Sequence, residues 1–206
     1  MTKITYISDT HGSHNELNLK GGDILVHCGD FTSQGEYTTI QDFNIWLGKQ
    51  DYSYKIVIAG NHELTLEKFP ILTRKLITNA IYLEEESIVI EGLKFYGSPY
   101  TPAFFNWAFN VNSNEIYKHW EKIPLDTNIL VTHGPPYKIL DKNGDGDHCG
   151  DKSIMYYINK IKPLHVAFGH IHSAHGTITK NGTKFINASI LDNSYNMAYE
   201  PINVKI

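Results

Sequence analysis

Arginine is almost absent from this 206-residue chain: of 18 basic side chains only Arg74 carries a guanidinium. A protein that clamps a phosphate dianion with bidentate guanidinium forks would need more than this one. Cysteine is nearly as scarce, with Cys28 and Cys149 alone. Two cysteines give no disulfide framework and no thiolate metal cage, and they fit a reducing compartment. No apolar run approaches the roughly 20 residues of a membrane helix. Residues 1–4 lead directly into a strand-like run, not into a signal-peptide core. The expectation is a cytoplasmic protein with no membrane partner. A formal net charge of −4 supplies no basic field for holding a long nucleic acid. Repeats, low-complexity tracts and linkers are missing too, so the length points to a single domain over residues 1–206.

Apolar residues make up 41% of the chain and charged residues 19%, enough for an ordinary globular core. Strand-like runs are expected at residues 3–8, 23–27, 54–59, 87–91, 94–97, 128–132 and 164–168, with a last strand at 202–206. Helical spacing of Tyr37, Ile40, Phe43, Trp46 and Leu47 predicts a helix over 36–47 with Gly48 as its C-cap. Further helices are expected at 66–77, limited at its start by Pro70, at 113–122 and at 152–161. Residues 98–107, rich in proline and aromatics, read as a surface loop, and 141–151 as a glycine-and-acid loop. Asn181-Gly182 marks a hairpin with a type I′ turn. Strands alternating with helices imply an α/β fold, and the late hairpins imply mixed sheets.

Five of these strands stop at side chains that ligate metals: Asp9 and His11, Asp30, Asn61 and His62, His133, then His170 and His172. In open α/β sheets the C-terminal strand ends meet in one crevice, so residues remote in sequence become neighbours. A single Gly-Asp or His-Gly is usually only a turn. Five such endings, all oxygen or imidazole donors, point to a metal centre. That donor set suits Mn2+, Fe, Zn2+ or Mg2+. Two ions need a bridging group, and Asp30 is the candidate. Two divalent ions, two carboxylates and one metal-bound hydroxide leave a single net positive charge to attract a phosphate ester and stabilise in-line attack by that hydroxide. His62, beside Asn61, is placed to protonate the leaving oxygen.

Asp9-Thr10-His11, Gly29-Asp30, Gly60-Asn61-His62-Glu63, His133-Gly134 and Gly169-His170-Ile171-His172 resemble, in order, the signature of the calcineurin-like metallophosphoesterases. Residues 55–63, Thr132-His133-Gly134-Pro135-Pro136, Gly146-Asp147-His148 and Phe185-Ile186-Asn187-Ala188-Ser189 are similar to its metallophosphoesterase-domain-containing (MPPED-type) branch. The resemblance implies a four-layer α/β/β/α sandwich of two mixed sheets flanked by helices. It also implies a dinuclear site, Mn2+ foremost: Asp9, His11 and His172 on one ion, Asn61, His133 and His170 on the other, and Asp30 between. It makes His62 the proton donor; Glu63, on the residues alone, reads as a support for the turn or for the groups behind the ligands. The branch is associated with phosphodiester hydrolysis, cyclic nucleotides included. Some members carry glycine where this chain has His170, so a full site is expected here.

Phe31-Thr32-Ser33 and Leu64-Thr65 stand where protein-phosphatase relatives place arginines, which favours a diester over a phosphoprotein monoester. Arg74 reads as a solvated helix residue. A calcium-loop reading of residues 141–146 fails at Lys152, where a bidentate glutamate is required. His148 in that loop is a candidate substrate contact, as is Asn61. His14, His27, His119, His165 and His175 read as structural or exposed, and the aromatics around Trp107 read as a core or interface cluster or as a wall on which a base could stack. Three functions stay open: a phosphodiesterase for small diesters or nucleotides, a phosphomonoesterase, and a metal-retaining nucleotide-binding or scaffold protein.

Overall fold

A computed structural model describes residues 1–206. The chain runs β1 (Lys3–Ile7), β2 (Gly22–His27), α1 (Tyr37–Lys49), β3 (Tyr52–Val57), α2 (Leu64–Lys68), α3 (Pro70–Thr73), β4 (Ile81–Tyr82), β5 (Glu86–Ile90) and β6 (Leu93–Ser98). It continues through β7 (Thr101–Pro102), β8 (Asn110–Val111), α4 (Tyr117–Trp120), β9 (Ile129–Thr132), α5 (Ile154–Ile161), β10 (His165–Phe168), β11 (Gly176–Lys180), β12 (Thr183–Asn187) and β13 (Ile202–Lys205). One mixed sheet has the order β13-β1-β2-β3-β4, the other β11-β12-β10-β9-β6-β5.

Side chains alternate across each strand, and three apolar layers result. Ile4, Tyr6, Ile24, Val26, Ile56 and Ile58 of the first sheet face Phe95, Ile129, Val131, Ala167 and Ile186 of the second. The outer face of the first sheet, with Ile7, Leu25 and Val57, packs under Ile40, Phe43, Trp46 and Leu47 of α1. The outer face of the second, with Tyr96, Leu130, Val166 and Phe168, packs under Trp120, Ile154 and Ile158 of α4 and α5. This is the expected four-layer α/β/β/α sandwich. Its central strands are buried on both faces, so they read as continuous apolar runs.

Four local expectations need correction. Gly48 lies inside α1 and does not cap it; the helix runs to Lys49, and Gln50 is the extended C-cap. The helix expected over 66–77 is broken at Phe69, because Pro70 lacks the N–H that would continue α2 and instead occupies the first turn of α3. The helix over 113–122 shortens to α4, and the loop over 98–107 contains β7, paired with β8.

The second helical layer is tied down by one acid. Asp151 Oδ1 accepts the N–H groups of Ser153 and Ile154 at the start of α5 (2.9 and 2.7 Å), and the Trp120 indole N–H (3.1 Å). Asp151 and Trp120 are both buried. Asp151→Ala strips a helix start and strands a buried indole donor, so chemical denaturation should show a loss of about 2 kcal/mol.

Candidate metal centre

The C-terminal ends of β1, β2, β3, β9 and β10 deliver the expected ligands to one crevice where the two sheets meet, joined there by the Ser8–Ser189 bridge. Four of these residues hold left-handed backbone, Asp9 (φ 54), His11 (φ 42), Asp30 (φ 57) and His170 (φ 67). Aspartate and histidine tolerate that region better than branched residues. Backbone bonds hold it: His11 N–H to Asp30 O (3.0 Å), Asp9 N–H to Gly29 O (3.0 Å) and Gly169 N–H to His133 O (2.9 Å). At Gly169 the neighbours approach so closely that a Cβ would lie 2.0 Å from Asp9 Oδ2.

Three clusters of candidate donors form, Asp9–His11–His172, His11–Asp30–His62 and Asp30–His133–His170. Asp30 Oδ2 lies 3.2 Å from His133 Nε2 and 3.9 Å from Nε2 of both His11 and His62. His172 Nε2 lies 3.5 Å from Asp9 Oδ1, and Asn61 Oδ1 is 3.0 Å from His133 Nε2. All seven expected metal ligands and His62 are therefore together, with Asp30 central.

Whether these residues suit a divalent cation can be judged from their protons. Nδ1 of His11, His133 and His172 bonds the backbone carbonyls of Thr32 (3.2 Å), Cys28 (2.9 Å) and Asp192 (2.9 Å). A carbonyl can only accept, so each Nδ1 carries a proton and Nε2 faces the acids, where it can give its lone pair to a metal once its own proton is lost. His11 Nε2 is buried without any hydrogen-bond partner. Cys28 is buried in the layer between the sheets and Cys149 is exposed, so the donors are oxygen and imidazole only. The set fits a hard or borderline divalent metal.

The metal-free electrostatics agree. Burial would push the Asp9 carboxyl up, but the hydrogen bond and charge of His172 and the charges of His133 and His11 hold it well below the usual range. Burial works against charge at His133 and His172 as well, yet Asp30 and Asp9 raise both imidazoles to about 9. Burial and the charge of His133 push His170 down to about 4. Two imidazolium protons thus offset the acids in the metal-free protein. Because both pKa values are raised, that contribution to stability is complete below about 6.5 and is lost as pH rises through about 9. Mn2+ added to chelator-treated protein near pH 7.5 should displace about two protons. Titration calorimetry in buffers of different ionisation enthalpy reads that number.

Glu63 is fully buried beside the ligand turns. Its Oε2 accepts the N–H groups of Asp30 (2.9 Å) and Gly60 (2.6 Å), and its Oε1 the N–H and hydroxyl of Thr32 (2.9 Å each). One buried carboxylate thus locks two ligand turns in register. Burial and the Asp30 charge raise it to about 7, against the pull of those donors. Sequence reasoning missed two contributors. Ser189 Oγ lies 2.9 Å from Asp9 Oδ2 and from Asn187 Oδ1. Tyr195 packs its ring edge-on against His11 and His172, with centroids 4.9 and 5.3 Å away.

A cavity of about 320 Å³ opens onto Asp30, Asn61, His62, His170 and His172, walled by Phe104, Phe105, Trp107 and Tyr195. His148 is not among its lining residues; its Nδ1 bonds Asp141 (2.6 Å) and its ring packs against Tyr137. The loop reaches the neighbourhood instead through Asn143 and Gly144, which line an adjoining cavity with His170, His172 and Tyr195. His14, His27 and His165 are buried structural histidines, paired with Asp42, Thr10 and Tyr6. His119 is partly buried against Glu85, and His175 bonds the Ser189 carbonyl. No helix is long and apolar enough to cross a membrane.

Comparison with known proteins agrees with this geometry. The pattern of the calcineurin-like phosphoesterases matches residues 2–174. Human metallophosphoesterase domain-containing protein 1 is 35% identical over 232 residues, covering 100% of this chain and 70% of that protein. A Caenorhabditis elegans UPF0046 protein is 31% identical over 214 residues, covering 97% of this chain and 73% of its own. Among solved structures, TT1561 of Thermus thermophilus shares the fold, with a TM-score of 0.66 at 13% identity over 99% of both chains. A ligand set spread over both sheets and a family pattern spanning most of the sequence lead to one conclusion: the chain belongs to the calcineurin-like phosphoesterases, metal-dependent hydrolases of phosphoric esters, and within them to the metallophosphoesterase domain-containing branch.

Proposed function

We propose that this protein is a cytoplasmic phosphodiesterase for small phosphodiesters, cyclic nucleotides among them, working with two divalent ions, Mn2+ foremost and Fe, Zn2+ or Mg2+ as alternatives. Asp9, His11 and His172 would hold one ion and Asn61, His133 and His170 the other, with Asp30 between them. Such ions supply Lewis acidity toward the phosphoryl group and lower the pKa of water.

The protein's own groups do the rest. Asn61 is a neutral donor, so the acids near the ions stay few and the site keeps a positive balance for an anionic ester. His62 anchors its Nδ1 on the Ser33 carbonyl (2.5 Å) and turns Nε2 toward Asp30 and the cavity. From there a protonated Nε2 can hand its proton to the departing oxygen. Phe104 and Phe105, both exposed, add apolar surface to the cavity wall.

One observation carries the choice of a diester: no lysine or arginine lines the cavity. Arg74 is engaged elsewhere, 2.7 Å from Glu84 and 3.5 Å from Glu86. Thr32 bonds Glu63 and cannot stand in for a guanidinium fork. A monoester dianion thus lacks the extra charge-assisted bonds it would need, each worth about 1.5–3 kcal/mol. With Mn2+-loaded protein, kcat/KM for bis(p-nitrophenyl) phosphate should exceed that for p-nitrophenyl phosphate by at least about tenfold. The reverse order would make the protein a monoesterase, and tight nucleotide binding without turnover would make it a scaffold.

A further inference from the structure

His62 is held on several sides, and one of its contacts has no counterpart among the metal donors. Its backbone N–H bonds Asp30 Oδ1 (2.9 Å), and its ring Nδ1 the Ser33 carbonyl (2.5 Å). Its ring face lies on Trp107, with centroids 4.2 Å apart and planes 25° from parallel. Trp107 is fixed in turn: the next residue, Ala108, is buried and donates its N–H to the Asn61 carbonyl (2.9 Å). Residues 107–108 therefore grip residues 61–62 twice, once by backbone and once by an aromatic face.

The hydrogen bond to Ser33 fixes the tautomer and one direction in the ring plane. Motion perpendicular to that plane is restrained by the stack. One face of the indole is thus occupied by the imidazole. We infer that Trp107 is a positioning residue for His62, holding the imidazole where Nε2 meets the leaving-group oxygen. This rests on His62 being the proton donor, and the experiment separates the two.

Proton donation matters most when the departing alcohol is a poor leaving group. Mn2+-loaded Trp107→Ala should therefore lose on the order of tenfold or more in kcat on a phenyl phosphodiester while losing little on the p-nitrophenyl analogue, with KM nearly unchanged on both. Trp107→Phe should recover most of the loss. In a His62→Asn background Trp107→Ala should cost nothing further on the phenyl ester. Independently of metal, the His62 ring-proton resonance, assigned by its loss in His62→Asn, should lie upfield over the indole face and shift downfield in Trp107→Ala.

Equal losses on both esters, a rise in KM alone, or a full additional loss in the His62→Asn background would overturn the inference and make Trp107 a substrate wall. If His62→Asn itself showed no dependence on leaving group, the proton-donor reading would fall, whatever Trp107 does. Should Trp107→Ala not fold, Trp107→Leu, which keeps bulk without an aromatic face, takes its place with the same expectations.

Discussion

Asp30→Ala is expected to abolish turnover and to lower metal affinity by more than about 100-fold, since even an outer hydrogen-bond partner of a ligand is worth 10- to 100-fold. Asp30 Oδ2 is the one oxygen near His11, His62 and His133 together, and Oδ1 accepts the His62 N–H. Removing it takes away the shared acid and leaves Nε2 of buried His133 with Asn61 as its remaining hydrogen-bond partner. Metal content by mass spectrometry and aryl-diester hydrolysis should fall together. The fold should survive, because the three apolar layers do not include Asp30. Wild-type turnover by the alanine variant would sink the assignment of the site.

Gly60→Ala should be almost as damaging while touching no ligand chemistry. A Cβ there would lie 2.3 Å from Asp30 Oδ1, 2.6 Å from His133 Cε1 and 2.7 Å from Asp30 N. None of these atoms is the free end of a flexible chain, so the clash has to move the ligands themselves. Overpacking of this kind costs about 1–3 kcal/mol, and a shift of about 1 Å in a catalytic group costs on the order of 100-fold in rate. Gly134→Ala is the natural control, because its Cβ would meet only the Thr101 side chain, Cγ2 at 3.1 Å and Cβ at 3.7 Å. Melting temperature and kcat of the pair should separate clearly. Equal behaviour would mean that the close backbone approach at Gly60 has no functional weight.

Much of the centre was legible in the sequence because its ligands follow the strands directly. Parallel strands align their C-terminal ends, so a list of strand endings is already a list of neighbours. Features set by tertiary contact were less visible. Pro70 splits a segment whose apolar spacing is continuous, and Gly48 sits inside α1 because the chain happens not to turn there. Trp107 announced an aromatic wall, but only the fold shows that His62 covers it. Tyr195 lies in an exposed polar turn with no pattern to flag it. Ser189 did leave a trace: Asn187 and Ser189, two positions apart, are the polar residues of an otherwise apolar run, and both are buried. Polar side chains on one face of a buried strand require partners, and here those partners are each other and Asp9.

The seam between the two sheets also constrains when the protein can be finished during synthesis. Asp9 receives its hydrogen bonds from His170, 161 positions later, and from Ser189, 180 positions later. The Asp9 side of the centre therefore stays incomplete until residues 170 and 189 have been synthesised. A nascent N-terminal half holds Asp9, His11, Asp30, Asn61 and His62 without His133, His170 and His172. Contacts of such long sequence separation form late and slowly in folding, so the closure of the second sheet onto the first sets when the centre is assembled.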